Sequence, residues 1–326
     1  MKPQAEIFSQ GEELVSGQIV DSNAAWLSRQ LVGMGFKLSR HTAVGDDLDD
    51  LVGLFREIAR RSDCCICTGG LGPTLDDLTA EAVSIASGTE LQFDSVAMRQ
   101  IEHYFSRVHR PMPEANRKQA YLPAGAQRID NSRGTAPGFA LRYLRCWFVF
   151  LPGVPAEMQT MFADLVKPDL QQRFPLQPDT LMTLRSIGIG ESAIQQTLAN
   201  WVIPPGVKLG FRVTPEEVQT KLLFPAGFSS VSRQHCVEQA ASLLGDYVFT
   251  IDTPKTPKND LMAVIARAMH GKQLELSLLE TASHGLIAAK CLNQPWLRSA
   301  EIALDKRWQN GLLADTAKTL AAQLAA

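Results

Sequence analysis

Two rhythms of apolar residues alternate along the first 170 positions of the chain. Short apolar-rich runs at 6–9, 36–43 and 64–67 read as strands, and between them apolar residues recur at helical spacing. Leu27, Leu31 and Met34 form one such stripe, with Ser22 as the expected cap and Gly35 as the stop. Leu48, Leu51, Phe55 and Ile58 form the next, opened by Asp47. A third helix is predicted from about Asp77 to Ser87 and closed by Gly88. Ile101, Phe105 and Val108 place a fourth helix within 92–108, and CWFVFL at 146–151 reads as a central strand. Met158, Phe162 and Leu165 follow on a helix. This order predicts an α/β fold, a parallel or mixed sheet sandwiched between helices.

The pattern changes after the proline-spaced run Phe174-Pro175-Leu176-Gln177-Pro178. The elements expected at 183–187, 192–201, 208–213, 218–224, 229–244 and 247–251 run strand, helix, strand, strand, helix, strand. That is the order of a small split β-α-β sandwich, an α+β domain. A second linker at 253–258 leads to a helix capped by Asn259, with Leu261, Val264, Ile265 and Ala268 as its stripe. A strand at 274–279 and two more helical stretches complete an α/β piece. The expected division is therefore 1–172, 173–252 and 253–326, the last of about seventy residues and small for an independent domain.

Composition narrows the class. Of 326 residues, 45% are hydrophobic and 20% charged, which is usual for a folded protein, and the net charge of −2 disfavours nucleic acid or anionic lipid as a partner. Acids and bases balance within the middle domain too, so it offers no polyanion-binding face. No apolar run reaches membrane-spanning length and no signal segment opens the chain, so cytoplasmic residence is expected. Cys64 and Cys67 spell C-x-x-C, but strand alternation sends them to opposite faces. They are expected to be small buried hydrophobes.

Candidate chemistry concentrates at Thr68–Asp77, TGGLGPTLDD. Gly69, Gly70 and Gly72 bring backbone N–H groups within reach of phosphate oxygens, and Thr74 adds a hydroxyl. Asp76 and Asp77 beside such a loop suggest a divalent cation between them and the phosphates, though one of the two could simply cap the following helix. Glu12, Glu13 and Asn23 follow the first strand, and Asp46 follows the second. Gly134 and Thr135 precede the CWFVFL strand, and Glu157 follows it. Strand-end loops share one rim, so Asp46 could reach the same cation or cap a helix. Asn116, Arg117, Lys118 and Gln119 lie in MPEANRKQA, where a positive charge could meet phosphate or solvent.

GEELVSGQIVDSNA, VGDD, TGGLGPTLDDLT, MPEANRKQA, GTAPGF and LPGVPAEM, in that order, resemble the CinA family of competence/damage-inducible proteins. The likeness covers the first 170 residues nearly continuously and extends more loosely through IGIGESAI into a KH-like middle module. The G-x-x-G loop of KH domains is missing, because this chain reads Gly188-Ile189-Gly190-Glu191, and RNA binding is not expected. The resemblance implies a molybdopterin-binding-like first domain and a divalent-metal-dependent pyrophosphatase acting on ADP-ribose or a similar nucleotide. It implies Mg²⁺, Mn²⁺ or Co²⁺ on Asp46, Asp76 and Asp77, with Asp77 or Glu157 activating water. Gly69, Gly70, Gly72 and Thr74 would hold phosphates, with Glu12, Glu13, Asn23, Asn116, Lys118, Gly134 and Thr135 as further contacts. The alternatives are a protein that binds molybdopterin or its adenylated form without turnover, and a regulatory remnant. Complete members end in a nicotinamide-mononucleotide amidase domain marked E-S-C-T-G-G. The matching run here is Glu280-Thr281-Ala282-Ser283-His284-Gly285, so loss of amidase activity is expected. A homodimer is expected from the family and from the small C-terminal piece.

Overall fold

The computed structural model describes residues 2–254, 256, 260–280 and 283–302. The chain divides into two compact units, one spanning Met1–Asp179 and one beginning at Thr180. The first unit runs β1 (Gln4–Gln10), α1 (Glu12–Val15), α2 (Ser22–Met34), β2 (Lys37–Val44), α3 (Leu48–Arg61), β3 (Cys64–Thr68) and α4 (Thr79–Ser87). It continues with β4 (Leu91–Phe93), α5 (Ser95–Arg107), β5 (Tyr121–Pro123), β6 (Gln127–Ile129), β7 (Gly138–Tyr143), β8 (Cys146–Leu151), α6 (Pro155–Met161) and α7 (Lys167–Arg173).

Its main sheet has the order β2-β1-β3-β8-β7-β6. The first four strands are parallel and the last two antiparallel, so the sheet is mixed, with β3 and β8 at its centre. Both central strands are buried along their whole length, as their unbroken apolar sequences require. Alternation divides β3 between two cores. Cys64 and Ile66 pack with Leu27, Leu31 and Met158 on the α2 and α6 side. Cys65 and Cys67 pack with Phe55, Ala82 and Val83 on the α3 and α4 side. The C-x-x-C pair is thus split across the sheet, as a strand demands. In the second core the Phe55 ring meets Phe8, Phe150 and Phe148 edge-on at 5.3, 5.5 and 6.0 Å. Such pairs add about 0.5–1.5 kcal/mol each beyond burial.

Local chemistry explains the boundaries and corrects several expectations. Asp47 caps α3 by accepting from Asp49 N and Asp50 N, each at 3.0 Å. Asp21, rather than Ser22, caps α2, accepting from Ala24 N at 2.8 Å. The helix expected from Asp77 starts at Thr79 with Leu78 before it and no side-chain cap, because Asp77 is engaged in the preceding loop. Leu165, expected on a packed stripe, is 44% exposed. It lies in a π-helical turn, Phe162–Val166, just ahead of Pro168, whose missing N–H disrupts regular α-helical bonding. The proline-spaced segment stays with the first unit, where Phe174 meets Phe36 edge-on at 5.2 Å.

The second unit opens with β9 (Thr180–Ser186), α8 (Glu191–Thr197), β10 (Lys208–Val213), β11 (Val218–Phe224), α9 (Ser230–Leu244) and β12 (Val248–Asp252). Their antiparallel sheet has the order β10-β11-β9-β12, the arrangement of a split β-α-β sandwich. Leu184, Leu222 and Phe224 on the sheet pack with Ile194, Val237 and Ala240 on the helices. Then follow α10 (Leu261–Lys272), β13 (Leu276–Glu280), α11 (Leu286–Cys291) and β14 (Leu297–Ile302), with β13 and β14 paired in parallel. Asp260 caps α10 through Ala263 N at 2.8 Å; Asn259, the expected cap, lies outside the described residues. No helix among the described residues is long and apolar enough to cross a membrane.

Candidate functional site

The loops that follow β1, β2, β3 and β8 converge at the carboxyl edge of the parallel strands, joined by the 131–136 loop. Together they enclose a cleft of about 410 Å³. Of the expected residues, Gly69, Gly70, Gly72, Asp76 and Asp77 line it from the glycine loop. Glu13 from α1, Glu157 from α6, and Asp46 and Thr135 from the neighbouring loops line it too. This is where open α/β sheets present ligand sites.

Asp77 folds back over the loop it follows. One carboxylate oxygen accepts from Gly72 N at 2.7 Å, and the other from Thr74 N at 2.8 Å and Thr74 Oγ1 at 2.5 Å. These are charge-assisted bonds, about twice as strong as neutral ones. The donors of Gly72 and Thr74 are thereby turned inward. Their job is to shape the loop, and Asp77 is its clasp. A Cβ at Gly72 would collide with the Asp77 carboxylate, so glycine is required for the clasp to close.

Gln10, at the end of β1, organises the other side. It was not among the expected site residues, yet it is 4% exposed and lines the cleft. Its Nε2 donates to Asp46 Oδ1 at 2.8 Å and to the Asp76 carbonyl at 3.3 Å, while its Oε1 accepts from the Thr79 hydroxyl. Gly69 and Gly70 have φ of 98° and 66°, and a Cβ on either would strike Gln10. Asp46 is further fixed by Glu12 N, which donates to its Oδ2 at 3.1 Å. Gln119 also lines the cleft, donating to the Leu71 carbonyl at 3.1 Å.

Other expected residues stand behind the lining. Asn116 donates to Gln119 Oε1 at 2.9 Å and so orients that side chain. Asn23 donates to the Gly153 carbonyl at 2.7 Å and anchors the loop after β8. Lys118 Nζ donates to the Thr74 carbonyl at 2.8 Å, pinning the glycine loop from outside. Arg117 lies over the Phe93 ring, 5.4 Å from its centre. Asn131 donates to Glu157 Oε2 at 2.7 Å, and Gly134 faces that carboxylate with no room for a Cβ.

Protein donors hold the two best-fixed carboxylates of the cleft. Both oxygens of Asp77 and both of Asp46 already accept protein hydrogen bonds. Among the described residues no group of three or more His, Cys, Asp or Glu is placed to hold a metal ion.

In the second unit, Glu280 is 3% exposed and spends its carboxylate on the start of α11. It accepts from Ile287 N at 3.1 Å, from Ala288 N and from Ser283 Oγ at 2.7 Å. Burial acts to raise its pKa, but these donors outweigh it and hold the carboxyl below its usual range. Thr281, at the position of the family's serine nucleophile, lies outside the described residues.

A family model described as probable molybdopterin binding domain matches residues 6–172. A CinA-like protein of Escherichia coli (strain K12 / DH10B) is 40% identical over 288 residues, covering 87% of this chain and 70% of the relative. The same identity and coverage relate it to a protein of Escherichia coli (strain K12) named NMN amidohydrolase-like protein YfaY. Among solved structures, the protein CinA from Thermoplasma acidophilum is 32% identical, covering 51% of this chain and 98% of that one with a TM-score of 0.48. The relative's name corrects the expectation of an ADP-ribose pyrophosphatase without amidase activity, since it points to an amidohydrolase instead. With 40% identity across most of its length and a molybdopterin-binding domain model over its first unit, the chain belongs to the CinA-like protein family.

Proposed function

We propose that the cleft at the strand ends binds the phosphate end of a pterin or nucleotide. The observation that carries this reading is the clasped glycine loop. Its backbone is fixed from both sides, by Asp77 and by Gln10, on the floor of a cleft of about 410 Å³. A volume in this range suits a small organic ligand, and with the Gly72 and Thr74 donors spent on Asp77 the phosphate would meet the Gly70 and Leu71 N–H groups of a loop that needs no ordering first. The description of the matching domain model, probable molybdopterin binding domain, favours a pterin among the candidate ligands. Thr135 and Glu157, which also line the cleft, would meet polar groups of the ligand beyond the phosphate.

Calorimetric titration with AMP, a phosphorylated heteroaromatic available in pure form, tests the reading. The wild-type protein is expected to bind with one-to-one stoichiometry. Gly72→Val, which drives a side chain into the Asp77 carboxylate, is expected to weaken binding at least tenfold, or about 1.4 kcal/mol. Asp77→Asn, a gentler change, should weaken it less but measurably, with circular dichroism confirming the fold of both. Absence of binding to the wild type at millimolar AMP, or equal affinity in both variants, would sink the proposal.

A further inference from the structure

A second cavity, of about 580 Å³, opens on the other side of the 131–136 loop, lined by Asn131, Ser132 and Gly134 where the cleft has Thr135 and Ala136. One of its walls is α5. Arg99, His103 and Arg107 follow one another on that helix at intervals of four, so they form a single ridge along the cavity. Tyr104 stands beside them, its ring centre 5.5 Å from the Arg107 guanidinium. The 160–165 segment adds two apolar side chains, Met161 and Leu165, and two polar ones, Thr160 and Asp164. Met161 is buried there, and Leu165 is 44% exposed despite its place in a helical segment.

The charges of this cavity are unevenly spent. Asp130 at its rim is paired with Arg128 at 2.7 Å. Neither Arg99 nor Arg107 has an ion-pair partner among the described residues. Asp164 is the remaining carboxylate in the lining, set against two guanidinium groups. Arginine pairs planar anions and stacks on aromatic faces, so a cavity that combines an arginine ridge with Tyr104, Met161 and Leu165 favours flat acids. A purely apolar ligand would leave the guanidinium groups without gain. A small inorganic anion would leave the Tyr104, Met161 and Leu165 surfaces wet.

We propose that this cavity is a second small-molecule site, taking a planar aromatic anion with its ring between Tyr104 and Leu165 and its acid group on Arg99 and Arg107. The site does not depend on the glycine loop. Asn131 separates the two, holding Glu157 on the cleft side at 2.7 Å and the Ala136 carbonyl at 2.9 Å.

Pterin-6-carboxylate, a fluorescent planar acid without phosphate, is the probe. Titrated into the wild-type protein, its emission is expected to change saturably with a stoichiometry of one. Arg107→Ala should weaken binding at least fivefold, and Leu165→Trp, which fills the slot, should abolish it. Both positions are exposed, so the variants should keep the wild-type melting temperature. Gly72→Val and saturating inorganic pyrophosphate should leave the probe's affinity unchanged. No saturable binding to the wild type, or binding indifferent to both cavity variants, overturns the proposal. So does loss of binding in Gly72→Val or on adding pyrophosphate, since the probe would then be in the glycine-loop cleft. A failed AMP titration leaves these outcomes intact, so the two readings fail separately.

Discussion

Gly70 has φ of 66°, and the space its side chain would need is taken by the Gln10 amide oxygen and the Thr79 hydroxyl. Gly70→Ala therefore combines a left-handed backbone with a collision against a buried polar pair. It is expected to lower the unfolding free energy by more than about 1 kcal/mol, read as a lower urea midpoint. A variant that unfolds with the wild type would show that the loop relaxes at no cost. The glycines were legible in the sequence as a turn made for close approach. What approaches them was not, because Gln10 lies sixty residues upstream and a lone glutamine carries no motif. Asp77 was legible as a polar group of this loop, but the partners of its carboxylate, Gly72 and Thr74, were not. An acid beside a glycine loop can face a cation, a helix end or the loop's own N–H groups, and only folding distance chooses among them.

At the scale of elements, β1 is tied to α3 by a buried ion pair. Glu6 is fully buried and receives Arg61 through two nitrogens, each at 2.8 Å, together with the Ser62 hydroxyl. Burial alone would raise the Glu6 pKa, but Arg61 and Ser62 more than reverse it, so the folded carboxyl titrates below its usual range. A depressed carboxylate stabilises the fold above its unfolded pKa, and that contribution is lost as pH falls through the folded value. Arg61→Met strands the buried carboxylate, with an expected cost of about 3–5 kcal/mol at neutral pH. Without its partner Glu6 should titrate high, so the sign inverts and the variant should gain stability between pH 7 and pH 5. Urea midpoints across that range decide it; parallel curves for variant and wild type would reject the coupling. The strand itself was readable from its apolar run. The pair was not, since Glu6 and Arg61 belong to elements whose adjacency only the sheet order supplies.

At the scale of the molecule, alternation of strand and helix signals was enough to foresee a helix-covered sheet and a split β-α-β sandwich after it. Those patterns are repeated over many residues, and packing on both sheet faces enforces them. The rim of the cleft was legible as well, because strand-end loops in such a sheet have one place to go. Less legible was the cavity along α5. Its ridge of Arg99, His103 and Arg107 looks in sequence like an ordinary solvated helix face, and the opposite wall comes from residues some sixty positions later.

All six cysteines are free and buried, four of them in the central strands of the first unit and two, Cys236 and Cys291, in the second. Burial pushes the thiols of Cys64, Cys65 and Cys67 up, away from the thiolate form that reacts. The folded protein should therefore be silent towards a disulfide reagent such as DTNB at neutral pH, with labelling paced by opening rather than by chemistry. Under partial denaturation, the order in which the two sets of thiols become labelled turns the chain into its own clock. It would time which unit lets water in first. A thiol that reacts within seconds in native buffer would show that at least one of these strands opens without unfolding.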